Sequence, residues 1–284
     1  MGLLVENLTK TFGNKVAVDH LSFQMEEPGV FGLIGTNGAG KTTTIRMILG
    51  IMQADEGRAL WNGTAINRDT LSFGYMPEER GIYMKNKVLE QLVYFGRLRG
   101  MNRSDAQKSA LRYLQRLGME NEKNTLVEKL SKGNQQKIQL ISTLIHDPKL
   151  IFLDEPFSGL DPVNTEVLRG LLQELIDEKR YIVMSSHQMS TVEEYCKDIL
   201  ILHQGQTKLY GNLREIKRGY GHTNLLISCD VNIDETAKQY GLEIIEKRAN
   251  ETEYRIHGDE MAHSLLSHML SQGFYPTKFE IREP

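Results

Sequence analysis

A short glycine-rich loop, Gly35–Thr42, constrains the fold of this chain more than any other feature. It fits the pattern G-x-x-x-x-G-K-[ST] and directly follows Val30–Ile34, an apolar run typical of a strand covered on both faces. A helix is predicted after it, from Lys41 to about Leu49. A buried strand, a tight turn and a helix in this order place backbone N–H groups around a phosphate, so the sequence predicts a phosphate-binding loop.

The side chains of the loop indicate how a nucleotide would be held. Lys41 is expected to reach the β- and γ-phosphates, and the hydroxyl of Thr42 is expected to bind Mg²⁺. Because glycines let the backbone pass close to the phosphates, the loop amides should supply further contacts. We therefore predict Mg²⁺ as the cofactor, and the other loop residues expected to bind the nucleotide are Asn37, Gly38, Ala39, Gly40 and Thr43.

A second apolar run ends in two carboxylates. Leu150–Leu153 is followed by Asp154 and Glu155, and such a strand delivers its acids to the sheet edge where phosphates bind. Asp154 is predicted to hold Mg²⁺ through water, and Glu155 to act as a general base on the attacking water. Ser186-His187 stands at the end of the next predicted strand, Tyr181–Ser185. Because this strand is expected to lie beside the acidic one, a contact of His187 with the γ-phosphate is favoured.

Strands and helices alternate over most of the chain before Gly211, which indicates a mainly parallel α/β sheet. At the start, Leu3–Phe12 and Val16–Met25 read as a hairpin around the turn Gly13-Asn14. Residues 86–146 instead have helical periodicity and predict a helical insert. Its expected features are helices at Leu89–Gly100, Ser104–Leu117 and about Gly133 to His146, a capping box at Ser104 and Gln107, and an apolar face at Ile138, Ile141 and Ile145.

After about Gly211 the pattern changes to that of a smaller unit. A linker rich in glycine and basic residues, Asn212–His222, precedes strands and helices in the order βαββαβ, which predicts a split-βαβ domain. The expected elements are Asn224–Cys229, Asp234–Gln239, Leu242–Lys247, Glu253–His257, Glu260–Ser271 and Thr277–Arg282. The predicted domains are therefore residues 1–215, with the helical insert at about 86–146, and residues 222–284.

Composition argues against several classes of protein. The formal charge is −3, so nothing predicts nucleic-acid binding. Cys196 and Cys229 form neither a metal-ligand spacing nor a disulfide framework. The N-terminus lacks a signal-peptide pattern, and no apolar stretch approaches the roughly 20 residues of a membrane span. We therefore expect a cytoplasmic protein that can lie against a membrane protein.

Three more segments complete a known set of motifs: Gly74–Gly81, Leu130–Gln136 and Ser158–Asp161. With the others they give the order phosphate loop, Gln loop, signature, acidic strand with its D-loop, and switch histidine. Over residues 1 to about 215 the chain therefore resembles the nucleotide-binding subunit of ATP-binding-cassette (ABC) transporters. The resemblance implies an α/β fold: a P-loop (RecA-like) parallel sheet with an antiparallel β subdomain and a helical insert. The added domain at 222–284 is expected to be ferredoxin-like α+β.

The resemblance also implies roles for residues outside the phosphate loop. Phe12 stands where the family stacks an aromatic ring on adenine, with Val18 packing nearby. Ser131 and Gly133 would contact the γ-phosphate held by the opposite subunit, so that two ATP molecules lie between two copies of the chain. Asp161 would link the two sites across the dimer.

Two positions depart from the family pattern. The signature reads Leu-Ser-Lys-Gly-Asn rather than Leu-Ser-Gly-Gly-Gln, so Lys132 adds a positive charge near the shared nucleotide. The Gln-loop position carries Glu78, whose carboxylate can still bind Mg²⁺ or its water. With the extra C-terminal domain, these departures resemble the exporter-type subunits of bacterial drug, antibiotic-peptide or sodium efflux systems. Chains of that kind usually extend beyond the position of Pro284.

The predicted partners are ATP, a second copy of the chain and a transmembrane permease. A short cytoplasmic helix of the permease is expected to dock between the helical insert and Glu78–Ile82. The sequence does not decide between a homodimer and a heterodimer with a second cassette. It also does not decide whether the C-terminal domain is regulatory or stabilises the dimer. The alternative is a soluble cassette ATPase acting on ribosomes or in DNA repair, but such chains carry a second cassette or long coiled coils. A non-hydrolysing regulator would have lost Lys41, Glu155 or His187, and all three are present.

Overall fold

The computed structural model describes residues 2–66, 72–79, 81–248 and 250–283. The chain divides into two compact units, Met1–Gly211 and Asn212–Pro284. The strands are β1 Leu3–Phe12, β2 Lys15–Met25, β3 Gly29–Ile34, β4 Glu56–Trp61, β5 Thr64–Ala65, β6 Phe73–Met76, β7 Leu150–Asp154, β8 Tyr181–Ser186, β9 Cys196–His203, β10 Gln206–Asn212, β11 Asn224–Ser228, β12 Glu243–Lys247, β13 Thr252–Arg255 and β14 Lys278–Arg282. The helices are α1 Lys41–Ile48, α2 Val88–Leu98, α3 Arg103–Arg116, α4 Lys132–Leu144, α5 Pro162–Asp177, α6 Met189–Tyr195, α7 Leu213–Tyr220, α8 Asp234–Gln239 and α9 Asp259–Ser271, with short 3₁₀ helices at Glu120–Glu122 and Val127–Lys129.

The first unit is built on a central sheet in the order β10-β9-β3-β8-β7-β6. The pairings of β3 with β8 and β9, and of β7 with β6 and β8, are all parallel, which confirms the predicted α/β fold. β7 is buried along its whole length, as its apolar run requires. Because β3, β7 and β8 run in the same direction, their carboxyl ends lie together at one edge of the sheet.

The antiparallel sheet of the first unit has the order β2-β1-β4-β5. Its first two strands form the predicted hairpin, in which Phe12 pairs with Lys15 across Gly13-Asn14. Phe23 of β2 stacks on Phe31 of β3 with ring centroids 4.3 Å apart, and such a pair adds about 0.5–1.5 kcal/mol beyond its burial. One hydrophobic cluster therefore contains residues of both sheets and of α1.

The helical insert consists of α2, α3 and α4, and the apolar face predicted for the third helix is buried at Ile138, Ile141 and Ile145. The predicted capping box at Ser104 is wrong. The N-cap lies two residues earlier, at Asn102, which accepts a hydrogen bond from the Asp105 amide at 2.9 Å and donates one to its carboxylate at 2.6 Å. Asparagine is as good an N-cap as serine, and this reciprocal pair takes the position.

The second unit contains an antiparallel sheet in the order β12-β13-β11-β14. The strands and helices from β11 to β14 follow the predicted order βαββαβ, and buried residues of α8 and α9 form one cluster with the sheet. The predicted linker contains α7, which begins where Asn212 accepts hydrogen bonds from the amides of Arg214 and Glu215. The domain boundaries at 215 and 222 remain predictions. Within the described ranges, no helix has the length and apolarity that crossing a bilayer demands.

Candidate active site

The phosphate loop connects the end of β3 to the start of α1, as the sequence predicts. Gly40 caps α1 in a left-handed conformation, with φ 112°. A Cβ atom at this position would lie 2.6 Å from the carbonyl oxygen of Ala17, so both the backbone conformation and the space require glycine. The first-turn amides of α1 have no partners within the helix and face outward at its positive end, which suits an anion.

An open cavity of about 440 Å³ lies over this loop, which is a volume typical of small-molecule sites. Most of the predicted nucleotide-binding residues line it. The lining residues are Phe12, Lys15, Ala17, Asn37, Gly38, Ala39, Gly40, Lys41, Thr42, Thr43 and Glu78.

Three predicted catalytic side chains form a continuous line beside the loop. The ammonium of Lys41 lies 3.1 Å from Oε1 of Glu155, and both side chains are only 6% exposed. The other carboxylate oxygen of Glu155, Oε2, accepts a hydrogen bond from Nδ1 of His187 at 2.8 Å. The ammonium of Lys41 also donates to the carbonyl of Gly35 at 2.7 Å. The sequence spacing of these residues is large, and parallel strands bring them together.

Asp154 is the centre of a second, buried group. Its Oδ2 accepts a hydrogen bond from the hydroxyl of Thr42 at 2.8 Å, and its Oδ1 accepts one from the hydroxyl of Ser185 at 2.5 Å. Ser185 also accepts a hydrogen bond from the backbone N–H of Glu155 at 2.9 Å. A single serine on β8 therefore positions both acids at the end of β7.

The backbone of Glu155 is strained. Its φ of 51° lies in the left-handed region, where a residue with a Cβ atom is disfavoured by about 1–2 kcal/mol. Hydrogen bonds on both sides hold this conformation, since the Glu155 carbonyl accepts from the Ser158 amide at 3.1 Å. The next carbonyl, of Pro156, accepts from Nε2 of Gln136 at 2.6 Å. Strain of this kind is found at active sites, where it aims a side chain.

The oxygen ligands fit Mg²⁺. The hydroxyl of Thr42 and the carboxylate of Asp154 are adjacent hard oxygen donors, and Mg²⁺ typically takes one or two such protein ligands with water and phosphate oxygens. The carboxylate of Glu78 lines the same cavity, but it is exposed. Its segment is held in place by Gln139 of α4, whose Nε2 donates to the carbonyl of Pro77 at 2.6 Å.

Several predicted residues lie away from the cavity. Val18 does not line the cavity because its side chain is completely buried, next to Gly40 of the loop, and its role beside the adenine stays a prediction. The alternation of β2 turns Ala17 toward the cavity instead. Ser131 lies at the exposed N-terminus of α4, and Asp161 lies at the exposed N-terminus of α5. Gly133 lies in the first turn of α4 and is buried against Asn164 of the same chain.

Sequence reasoning missed Ser185, Gln136 and Asn164. The only local signal for Ser185 was a polar residue at the end of an otherwise apolar strand. Gln136 lies in the signature segment, but its partner at Pro156 is visible only in three dimensions.

Comparison with known proteins identifies the family of the chain. Residues 18–158 match the family model described as ABC transporter, and residues 211–284 match the model of the C-terminal domain of DrrA1-3-like ATP-binding proteins. The chain is 43% identical to the uncharacterized ABC transporter ATP-binding protein YhaQ of Bacillus subtilis, over 99% of this chain and 95% of that protein. It is 28% identical to the linearmycin resistance ATP-binding protein LnrL of the same organism, over 99% of this chain and 94% of that protein.

A solved structure described as an ATP-binding subunit of an ABC transporter gives a TM-score of 0.71 with 29% identity, covering 78% of this chain and 93% of that structure. Members of this family bind and hydrolyse ATP. The loop, the acidic strand and the histidine stand together in the fold in the arrangement that this chemistry needs. The chain therefore belongs to the ABC transporter ATP-binding proteins and is an ATPase.

Proposed function

We propose that the chain is the ATP-hydrolysing subunit of a bacterial exporter, and that two copies close around two Mg-ATP molecules to drive a separate membrane permease. One observation carries the proposal. Each chain has a complete phosphate loop and catalytic line, while Ser131 and Asp161 are exposed on other elements and do not line the cavity. A second copy would supply its Ser131 and Gly133 to this site, and its own site would receive the same two residues in return.

The proposed roles follow from the contacts. The loop amides and Lys41 bind the phosphates, Phe12 stacks on the adenine, and Thr42 with Asp154 and Glu78 hold Mg²⁺ or its waters. Mg²⁺, when bound, neutralises charge on the β- and γ-phosphate oxygens.

The ion pair of Lys41 and Glu155 suggests how nucleotide binding makes the catalytic carboxylate available. Phosphates attract the Lys41 ammonium, which leaves the Glu155 carboxylate available to accept a proton from the attacking water. The hydrogen bond from His187 keeps that carboxylate oriented. Oε1 of Glu155 is buried, and its ion-pair partner at 3.1 Å is the Lys41 ammonium, so it is the oxygen that the phosphates would leave available and the one proposed to take the proton.

The exporter assignment is supported by relatives of the whole chain. LnrL, whose name records resistance to linearmycin, aligns with this chain over nearly its full length. Drugs, antibiotic peptides or sodium are the proposed cargo classes, and the proposed location is the cytoplasmic face of the cell membrane.

A groove of about 500 Å³ supports the proposed docking of the permease. It lies between α2, α4 and the segment that carries Glu78, and its lining combines apolar and aromatic side chains with polar ones such as Arg99 and Gln139. The lining residues include Phe73, Tyr75, Pro77, Gly81, Phe95 and Leu98. Arg80, within the proposed docking segment Glu78–Ile82, lies outside the described residues. Deleting residues 79–82, which leaves Glu78 and its proposed role at Mg²⁺ in place, should uncouple transport but keep ATP binding. Loss of ATP binding in the deletion variant would refute the docking role.

The direct test of the proposed function is Glu155→Gln. This variant should bind Mg-ATP, hydrolyse it at least about a hundredfold more slowly, and elute as a dimer with ATP but as a monomer without it. Glu120→Gln, on the surface of the helical insert, is the control and should behave as wild type. The double variant Glu155→Gln with Lys41→Ala should no longer form the ATP-dependent dimer. Wild-type turnover in Glu155→Gln would exclude Glu155 as the base, and a monomer at saturating ATP would exclude the homodimer.

A further inference from the structure

The N-terminal part of α4 contacts the segment that follows the catalytic carboxylate, within the same chain. Gly133 and Gln136 are three residues apart and so lie on one face of the helix. Gly133 contacts Asn164 of α5, and Gln136 donates a hydrogen bond to the carbonyl of Pro156. Gln136 therefore holds the residue after Glu155, and Asn164 lies close to Asp161.

The contact at Gly133 is a matter of space rather than backbone conformation. A Cβ atom on Gly133 would lie 2.3 Å from Nδ2 of Asn164 and 2.9 Å from its Cγ, distances that real Cβ atoms do not show. The backbone of Gly133 is not in the left-handed region. Alanine would therefore suit the helix itself, and the three atoms closest to its added Cβ would all belong to the neighbouring asparagine.

Hydrogen bonds to Asp161 hold Asn164 in this position. Its Nδ2 donates to Oδ2 of Asp161 at 2.5 Å, and its backbone N–H donates to Oδ1 of the same carboxylate at 2.9 Å. These two hydrogen bonds are the main reasons that the pKa of Asp161 is lowered. Because a carboxylate accepts and does not donate, the amide nitrogen must face Asp161. That nitrogen is also the atom closest to Gly133.

We propose that Asn164 and Gln136 form a clamp that makes the signature segment and the catalytic segment of one chain move together. Asn164 fills the space above Gly133 and orients Asp161, while Gln136 holds the strained turn at Glu155. Both are positioning residues. The proposal builds on the proposed dimer, since the clamp ties Ser131 and Gly133, offered to the partner's nucleotide, to the chain's own Glu155.

The test is a double-mutant cycle of Gly133→Ala and Asn164→Ala. If Gly133 is needed for space, Gly133→Ala alone should lower kcat at least about tenfold. The double variant should then recover a kcat within about threefold of that of Asn164→Ala alone, with the KM for ATP little changed. The melting temperature of the nucleotide-free chain should show the same rescue. If Gly133 is needed only to contact the partner's phosphate, the double variant will be as inactive as Gly133→Ala, which overturns the clamp.

Matched controls lie on α5. A Cβ atom added to Gly170 would meet no atom of the described residues within 4 Å, so Gly170→Ala should be silent or slightly stabilising. Gln173→Ala removes an exposed amide that donates to Asp177 on its own helix and should also be silent.

Gln136→Met tests the other half of the clamp, on α4. This substitution keeps the volume but not the donor, and it should lower kcat about fivefold without raising the KM for ATP.

The remaining outcomes also decide the question. If Gly133→Ala does not fold, a folded and active double variant supports the clamp, and an unfolded double variant overturns it. Rescue of the melting temperature without rescue of kcat also overturns it, because the contact would then be structural only. Failure of the dimer itself is detected separately, by Glu155→Gln without these changes.

Discussion

Ser185 is the residue whose removal tests the structure of the active site most directly. Its hydroxyl is fully buried, donates to Asp154 at 2.5 Å and accepts from the backbone of Glu155 at 2.9 Å. Ser185→Ala removes one oxygen and affects both acids. The two carboxylates remain, so a loss of function cannot be attributed to missing catalytic groups.

The expected cost follows from the two contacts. A hydrogen bond to a charged group contributes about 1.5–3 kcal/mol, and a buried donor without a partner costs about 1–3 kcal/mol. The sum is about 2.5–6 kcal/mol in the free energy of unfolding, lowered if a water molecule enters the space. For a unit of this size, each kcal/mol shifts the melting temperature by about 2–4 °C, so a decrease of about 10 °C is expected.

The chain contains a single tryptophan that reports on this unit. Trp61 packs edge-to-face on Tyr181 of β8, the strand that carries Ser185, with ring centroids 4.9 Å apart. Its fluorescence during urea unfolding therefore follows the first unit without interference from the second. Ser142→Ala is the control, because the Ser142 hydroxyl donates back to the carbonyl of Gln139 in its own helix.

The result that would refute this reasoning is a Ser185→Ala variant with the stability of Ser142→Ala, within about 0.5 kcal/mol. Such a result would mean that neither hydrogen bond contributes in solution. A loss of stability with unchanged kcat would have a narrower meaning. It would show that Ser185 supports the fold but does not orient Asp154 and Glu155 for hydrolysis.

Three further predictions concern other parts of the first unit. Burial and, to a smaller extent, Arg99 lower the pKa of His146 from 6.5 to about 4. The native state therefore favours the neutral ring, and stability should be complete above pH 6.5 and fall by up to about 2 kcal/mol by pH 5. Urea unfolding at the two pH values should show this loss in wild type and not in His146→Gln. An equal loss in both would contradict it. Phe12→Ala should weaken ATP binding about tenfold in calorimetry through lost stacking; Val16→Ala on the same hairpin should not, and equal affinities would rule out the stacking. Asn102→Ala should cost about 1 kcal/mol of stability while Ser104→Ala costs almost nothing, and the reverse order would restore the capping box predicted from the sequence.

Much of the site could be predicted because its motifs are local. The phosphate loop needs glycines at fixed spacing between a strand and a helix, and the acidic strand needs carboxylates after an apolar run. Both patterns are complete within a few residues. Parallel strands then impose the meeting of Lys41, Asp154 and Glu155, so the sheet topology was enough to expect it.

What could not be predicted depends on which side of an element faces its neighbour. Val18 and Ala17 are adjacent, and the register of β2 decides which of them lines the cavity. The same holds for the start of α3, where two nearby polar residues compete as caps and the structure places Asn102 there. Short-range patterns contain both options and do not choose between them.

The partners of Glu155 show why catalytic geometry is harder to predict than catalytic identity. The sequence predicts that the glutamate after the apolar strand acts as a base. Its left-handed backbone, however, is stabilised by residues far away in the sequence, on β8 and α4. Neither Ser185 nor Gln136 is acidic or basic, so no charge pattern points to them. Because each supporting contact is a single hydrogen bond of roughly 1 kcal/mol and the strain is of similar size, losing one of them removes a large part of the margin that holds the carboxylate in place. We therefore expect hydrolysis to be sensitive to changes at Gln136 on α4, although this residue acts only through the turn.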